Sequence, residues 1–231
     1  MDKKDNNQEQ ILNLLAEKST VKFKVHDNTV LIFDTLKKIL NLISKEYNSS
    51  LKNADQRTGL EFKDNGKYEA QLKVAGDLLV FSMHTNVFEF NREHNMWKTS
   101  LAIENPLNTY CGIINIYNFL NDSFKHNRLE DLGYLIARIF INKDLFFLVE
   151  GKRQLGFIYN NFGQQTMDNE ILTHIITTSI IYSLEFDLLV PPYDTVKIAS
   201  VAQMAANIEN SRVQTAKRLG FKFNSDDVGA Q

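Results

Sequence analysis

His84, Glu89, Glu93 and His94 fall within eleven residues, and two imidazoles with two carboxylates are the side-chain types that hold zinc or a related divalent metal. Their setting argues against that use. Glu89 belongs to the alternating run Val87-Phe88-Glu89-Phe90, while Glu93 and His94 sit in the polar loop 91–95, which reads more simply as a solvated hairpin loop. Asp55, Glu61, Lys63, Glu69 and Lys73 partly match the carboxylate–lysine sets of nucleases, but charged residues at alternate positions are what the wet face of a strand carries. Cys111 is the single cysteine; with no basic neighbour in sequence to favour its thiolate, it reads as a small core residue. One Cys and five scattered His do not make a structural zinc site, and the phosphate-cradling glycine motifs and the G-x-S-x-G elbow are absent. No catalytic, cofactor-binding or metal-ligating residue is therefore assigned, and no cofactor is expected.

Two basic clusters remain. Arg212, Lys217, Arg218 and Lys222 follow Asn210-Ser211 and could meet DNA phosphates if a helix-turn-helix lay there, but Lys and Arg also complement the dipole in any helix's last turn. A net charge of −2 and a pI near 6.2 give no overall pull toward nucleic acid or an anionic membrane. Glu150-Gly151-Lys152-Arg153 reads as a solvated turn.

The elements that would position these residues centre on 106–151. Ile113, Ile114, Tyr117, Leu120 and Phe124 recur at helical spacing with Asn115, Asn118, Asn121 and Asp122 opposite, so an amphipathic helix is the preferred reading over 107–124, with Asn108 or Thr109 as cap. A strand is the alternative, since Ile114 and Ile116 alternate with polar neighbours. Two apolar runs, 132–141 and 145–149, flank Asn142-Lys143-Asp144 and predict a β-hairpin. A helix over 128–141, boxed by Asn127 and Glu130, competes with the first of them.

Upstream, a short helix carries Ile11, Leu14 and Leu15, and Val21, Phe23 and Val25 alternate as a possible strand. Asp27, Asn28 and Thr29 are cap-type residues before an amphipathic helix bearing Ile32, Phe33, Leu36, Ile39, Leu40, Ile43 and Tyr47. The run 60–84 predicts three antiparallel strands joined at Asp64-Asn65-Gly66-Lys67, a type I′ hairpin signal, and at Gly76-Asp77; residues 87–90 and 97–103 are expected to add strands. Downstream, 155–159 suits a short strand or ordered loop. Thr166-Met167-Asp168 opens a helix with Ile171, Leu172, Ile175, Ile176, Ser179 and Ile180 inward, and a last helix begins at Asp194 or Thr195 with the small stripe Ile198, Val201, Ala202, Ala205 and Ile208.

The expected fold class is α+β: an antiparallel β-meander plus hairpin covered by helices, with additional C-terminal helices. Residues 1–27 form an N-terminal helix and lead-in, 28–190 the α+β domain, and 191–231 a C-terminal helix and polar tail on the same domain. The start MDKKDNNQEQ lacks the apolar region of a signal peptide, and 171–190 carries His174, Glu185 and Asp187, a poor membrane span; a cytoplasmic protein with no membrane partner is expected.

Three stretches, INIYNFLNDSF, YLIARIFINKDLFFLVEG and DNEILTHIITTSIIYSLEF, taken as central helix, hairpin and closing helix, resemble the YbjN-type bacterial regulators and the type III secretion chaperones over about residues 28–190. The resemblance implies a non-enzymatic, dimerising module that binds protein segments. The function expected is thus a protein-binding or adaptor module. The alternatives are a small-ligand or hydrolytic enzyme whose site gathers residues distant in sequence, and a DNA-binding regulator. Four helices exceed what one face of a modest sheet can bury, so a homodimer is expected, with a protein partner and no nucleic acid.

Overall fold

Val25, Thr29, Ile32, Phe33, Leu36, Ile39, Leu40 and Ile43 recur at three- and four-residue steps, and all are buried along one side of a single long helix. The computed structural model describes residues 2–51, 55–129, 131–159, 162–188, 190, 192–198 and 200–202. In it α1 (Asp2–Leu14) runs through a π-helical turn (Leu15–Ser19) into α2 (Thr20–Ser50) without a break. The strand expected over 21–25 does not form, because Val25 joins the helical stripe that Thr29 and Ile32 continue. Asp27, Asn28 and Thr29 lie inside the helix rather than at its start, so residue 27 is crossed by continuous helix.

Three strands follow as expected: β1 (Leu60–Asp64), β2 (Glu69–Val74) and β3 (Asp77–Met83). Gly66 has φ +103°, but Asn65 stays outside the left-handed region, so the β1–β2 connection is a four-residue loop over 65–68 and not a type I′ turn. In the second turn Ala75 takes a left-handed φ of +51°. A two-residue strand, β4 (Phe88–Glu89), leads to a 3-10 turn (Asn95–Lys98) and α3 (Ser100–Glu104), where a strand over 97–103 was expected. The reason is capping: His94 Nδ1 accepts from Met96 N–H and Thr99 Oγ1 from Ala102 N–H, satisfying the first donors of each turn.

The main correction falls on 107–124. Asn105 caps a 3-10 turn with Pro106 at its first position, and Asn108 and Thr109 lie within that turn. The chain then extends as β5 (Tyr110–Leu120), eleven residues pairing with β3 on one side and β6 on the other; only 121–125 is helical, as α4 (Asn121–Lys125). Apolar residues at nearly every position fit both periods. Their β-branched and aromatic make-up, and the ladder partners on both sides, decide for strand. The expected hairpin forms from β6 (Tyr134–Ile141) and β7 (Phe147–Gly151), so the competing helix over 128–141 is absent. Residues 154–158 form α5 (Gln154–Ile158), not a strand. The inward residues of 166–180 fall on α6 (Asn169–Leu184), capped by Asp168, whose carboxylate accepts from Ile171 N–H at 2.8 Å. Of the last expected helix the described residues include α7 (Tyr193–Val196) and 201–202; the rest, from 203, lies outside them.

The sheet is antiparallel in the order β1-β2-β3-β5-β6-β7, with β4 pairing the start of β5, which bears out the α+β fold class. Even-numbered residues of β5 (Ile114, Ile116) face the main core beneath α2 and α6; odd-numbered ones face a smaller cluster of Met96, Cys111, Phe140, Leu148 and Phe162 on the opposite face. A bulge between Ile116 and Tyr117 lets Ile136 and Ala137 both be buried. Among the described residues no helix is long and apolar enough to cross a membrane.

Helix α2 lies directly on β5. A Cβ at Gly112 would stand 2.0 Å from Thr29 Oγ1 and 2.8 Å from Thr29 Cβ. Gly112→Ala should therefore destabilise the protein by about 1–3 kcal/mol, the usual cost of overpacking. Adding Thr29→Ala should recover only part of it, because the Thr29 Cβ contact stays; urea midpoints of the two variants check this. At Gly66 nothing lies within 4 Å of a built Cβ, so Gly66→Val senses backbone strain alone and should cost roughly 1–3 kcal/mol in the same assay.

Candidate functional site

The segment from β4 to the 3-10 turn before β5 covers the second face of the sheet but stops short of β7. An open cleft of about 760 Å³ remains there, with one wall from His94, Met96 and Ser100, another from Leu148 and Glu150, and a third from Phe162 and Gln164. The register of four strand pairs sets Glu69, Ser82, Asn115, Arg138 and Glu150 in one polar row that ends at this cleft.

At its end three charged or titratable groups meet. Glu150 Oε2 accepts from Arg138 Nε at 3.0 Å and also from Arg138 Nη2, while its Oε1 accepts from His94 Nε2 at 3.3 Å. His94 Nδ1 accepts from the Met96 N–H at 3.1 Å, which places the neutral ring's proton on Nε2. Both ring nitrogens are consequently engaged, and neither is free to take a proton from a bound molecule. The ring stacks 4.6 Å from Phe90, which in turn lies 4.7 Å from Phe140, so the histidine is fixed in place by aromatic packing as well. Thr99 Oγ1 is committed to the Met96 carbonyl at 2.7 Å and Asn95 Oδ1 to Lys98 at 3.1 Å. Among the described residues of the lining, Ser100, Gln164 and the Asn95 amide nitrogen are exposed polar groups left for a ligand.

The other sequence candidates do not converge. His84 Nδ1 accepts from Asn86 N–H at 3.0 Å, and Glu89 pairs with Arg92 at 3.4 Å, apart from the His94–Glu150 contact. Among the described residues no group of three or more His, Cys, Asp or Glu side chains is placed to hold a metal. Of the nuclease-like set, Lys73 pairs with Glu61 directly across the β1–β2 ladder, Glu69 bonds Asn65 and Gln71, and Asp55 is held by Arg57, which keeps its carboxyl below the usual range. The first two are local pairings on β1 and β2 and their connecting loop, and the last caps the 3-10 turn before β1. Arg212, Lys217, Arg218 and Lys222 lie outside the described residues.

Cys111 sits on β5 in the small second-face core, not on a helix, and is 1% exposed; burial pushes its thiol well above the ordinary value. Tyr159 and His174 share a hydrogen bond of 2.7 Å at the surface of α6, with the tyrosine's proton affinity raised by burial and then by Asp168 and Glu170. The bond ties the loop after α5 to α6, where the Tyr159 carbonyl accepts from Val149 N–H at 2.9 Å.

The sequence placed His94 in a loop and Glu150 in a solvated turn, 56 residues apart. Strand register sets Glu150 opposite Arg138, and the packing of Phe90 on Phe140 brings His94 to them.

Compared with models of known protein families, with curated proteins and with solved structures, the chain finds no match.

A neutral thiol sealed in the second-face core should not react with a thiol reagent in the native protein. At pH 8 the reagent should give no colour until denaturant is added, then one equivalent; fast labelling of the native chain would show that the cover over β5 opens.

Proposed function

We propose that the protein is a cytoplasmic, non-enzymatic protein-binding module of the adaptor or chaperone kind, and that the cleft beside β7 holds a segment of a client chain. The observation that carries this reading is the internal use of the cleft's reactive groups. His94 spends both ring nitrogens, Glu150 both carboxylate oxygens and Thr99 its hydroxyl on neighbours within the fold. General acid–base work needs a group within hydrogen-bond reach of the substrate and free to exchange its proton. What is left is a floor of Leu148, Met96 and Phe162, each nearly buried, under exposed polar side chains such as Ser100 and Gln164 at the rim, so a bound segment would be held mainly by polar contacts. The resemblance to secretion chaperones lends only its hairpin and closing helix to this reading, because its central helix is the strand β5.

A small ligand in the same cleft is the second reading, favoured by a volume within the usual range of ligand pockets, about 300–1,000 Å³.

Selection of a displayed random-peptide library on the protein, followed by calorimetry, tests the proposal. Peptides with micromolar affinity are expected, and Ser100→Trp, at an exposed position of the lining, should abolish their binding without changing the melting temperature. Failure to select any peptide, with saturable binding of a small molecule that Ser100→Trp removes, would favour the second reading. Turnover of model esters or phosphates that disappears in His94→Gln would overturn the non-enzymatic one.

A further inference from the structure

His94 is held between two groups that act on it in opposite senses. Its Nδ1 accepts from the Met96 N–H at 3.1 Å, a bond that only an unprotonated ring nitrogen can make. Its Nε2 faces the Glu150 carboxylate at 3.3 Å, which attracts a charged ring. The side chain is 31% exposed, so protons from solvent reach it. The other hydrogen-bonded histidines lack this opposition. His84 Nδ1 also accepts from a backbone N–H, that of Asn86, but no carboxylate is bonded to its ring. His174 shares its bond with the Tyr159 hydroxyl, which can donate or accept, so that contact survives protonation.

The Met96 bond is structural. His94 is the N-cap of the 3-10 turn Asn95–Lys98, and its ring nitrogen is the side-chain acceptor for that turn's free N–H. The turn seats Met96 at 2% exposure in the second-face cluster, and Asn95 and Met96 line the cleft beside β7.

We infer that His94 is a proton-sensitive latch on the cleft wall: neutral, it caps the 3-10 turn, and protonated, it turns toward Glu150 and releases the turn. The added proton comes from solvent, goes to Nδ1 and leaves the ring with one positive charge. Two N–H donors then face each other with no acceptor between them. The ring keeps its bond to Glu150 only by swinging Nδ1 away from the backbone, which leaves the Met96 N–H uncapped.

The charged groups around the ring act on this step from each side. From β7, Glu150 draws the charge in; from β6, Arg138 holds the same carboxylate and opposes it. On the segment that carries His94, Glu89 is paired with Arg92 and Glu93 is exposed. On the turn itself, Lys98 bonds Asn95 Oδ1. Histidine is the side chain that changes charge between about pH 5 and 8, which sets the window.

Trp97, the single tryptophan, lies in the capped turn, stacked 3.7 Å from the Arg92 guanidinium and donating to the Phe90 carbonyl at 3.1 Å. Its fluorescence therefore reports on the turn. From about pH 8 to about pH 5 its emission should shift. Exchange protection of the Met96 amide, corrected for the intrinsic effect of pH, should fall about three- to thirtyfold over the same range, as expected for loss of an N-cap. His94→Asn supplies a capping oxygen that does not titrate, so both readouts should become flat, whereas His84→Asn should keep the wild-type transition. Glu150→Gln, which removes the countercharge, should move the midpoint to lower pH. A flat wild-type profile, a transition that persists in His94→Asn, or a midpoint unmoved in Glu150→Gln would overturn the latch. That a client peptide leaves the cleft over the same window is a consequence that rests on the proposed function; the exchange and fluorescence measurements use no peptide, so the two proposals fail separately.

Discussion

Helix α2 can lie on the sheet only because Gly112 has no side chain where Thr29 presses against β5. The Thr29 hydroxyl is turned back onto the Val25 carbonyl at 2.7 Å, so the contact leaves no unsatisfied donor in a fully buried place. With the helix seated at that point, its polar side chains reach three strand connections. Asn28 Nδ2 donates to the carbonyls of Asn142 and Lys143, Lys37 Nζ to the carbonyl of Gly66 at 2.8 Å, and Asn48 brackets Leu60 through both its amide atoms. These bonds tie the helix to the β6–β7 and β1–β2 connections and to the start of β1. A shift of α2 away from β5 would strain all three together.

The same close approach makes β5 the central element of a two-faced sheet. Its even residues are covered by helix, and its odd residues require a second cover, which the 3-10 turns and α3 supply through Met96, Leu101 and Phe90. That cover is short. It reaches β6 through the Phe90–Phe140 contact and ends with His94 against Glu150, so the cleft beside β7 is the uncovered remainder of the second face. Arg138, Glu150 and His94 border it as a satisfied cluster, each partly exposed, where ion pairing contributes little to stability but holds the cleft wall in one geometry.

The cleft and the N-terminal helix differ in a physical respect. The cleft is built on strands and a stacked histidine, rigid elements suited to holding a ligand in one pose. Helix α1 continues the packed helix α2 through the π-helical turn, while Ile11, Leu14 and Leu15 stay exposed.

The amino-acid sequence by itself determined the elements whose period is unambiguous. The stripe from Ile32 to Ile43, the three strands of 60–83 and the Asp168-capped α6 each carry local signals, caps, turns or alternation, that need no distant partner. What tertiary structure alone decided lies where two periods coincide. Ile113, Ile114, Tyr117 and Leu120 satisfy a helix as well as a strand, and the ladders to β3 and β6 settled it, placing Asn118, read from the sequence as wet, inside at 1% exposure. Val21, Phe23 and Val25 went the other way, from apparent alternation into helix, because Val25 completes a buried stripe. The cleft was illegible for a related reason: His94, Arg138 and Glu150 are joined by strand register across three segments, and register is set by which residues pair, a property that no local stretch of sequence contains.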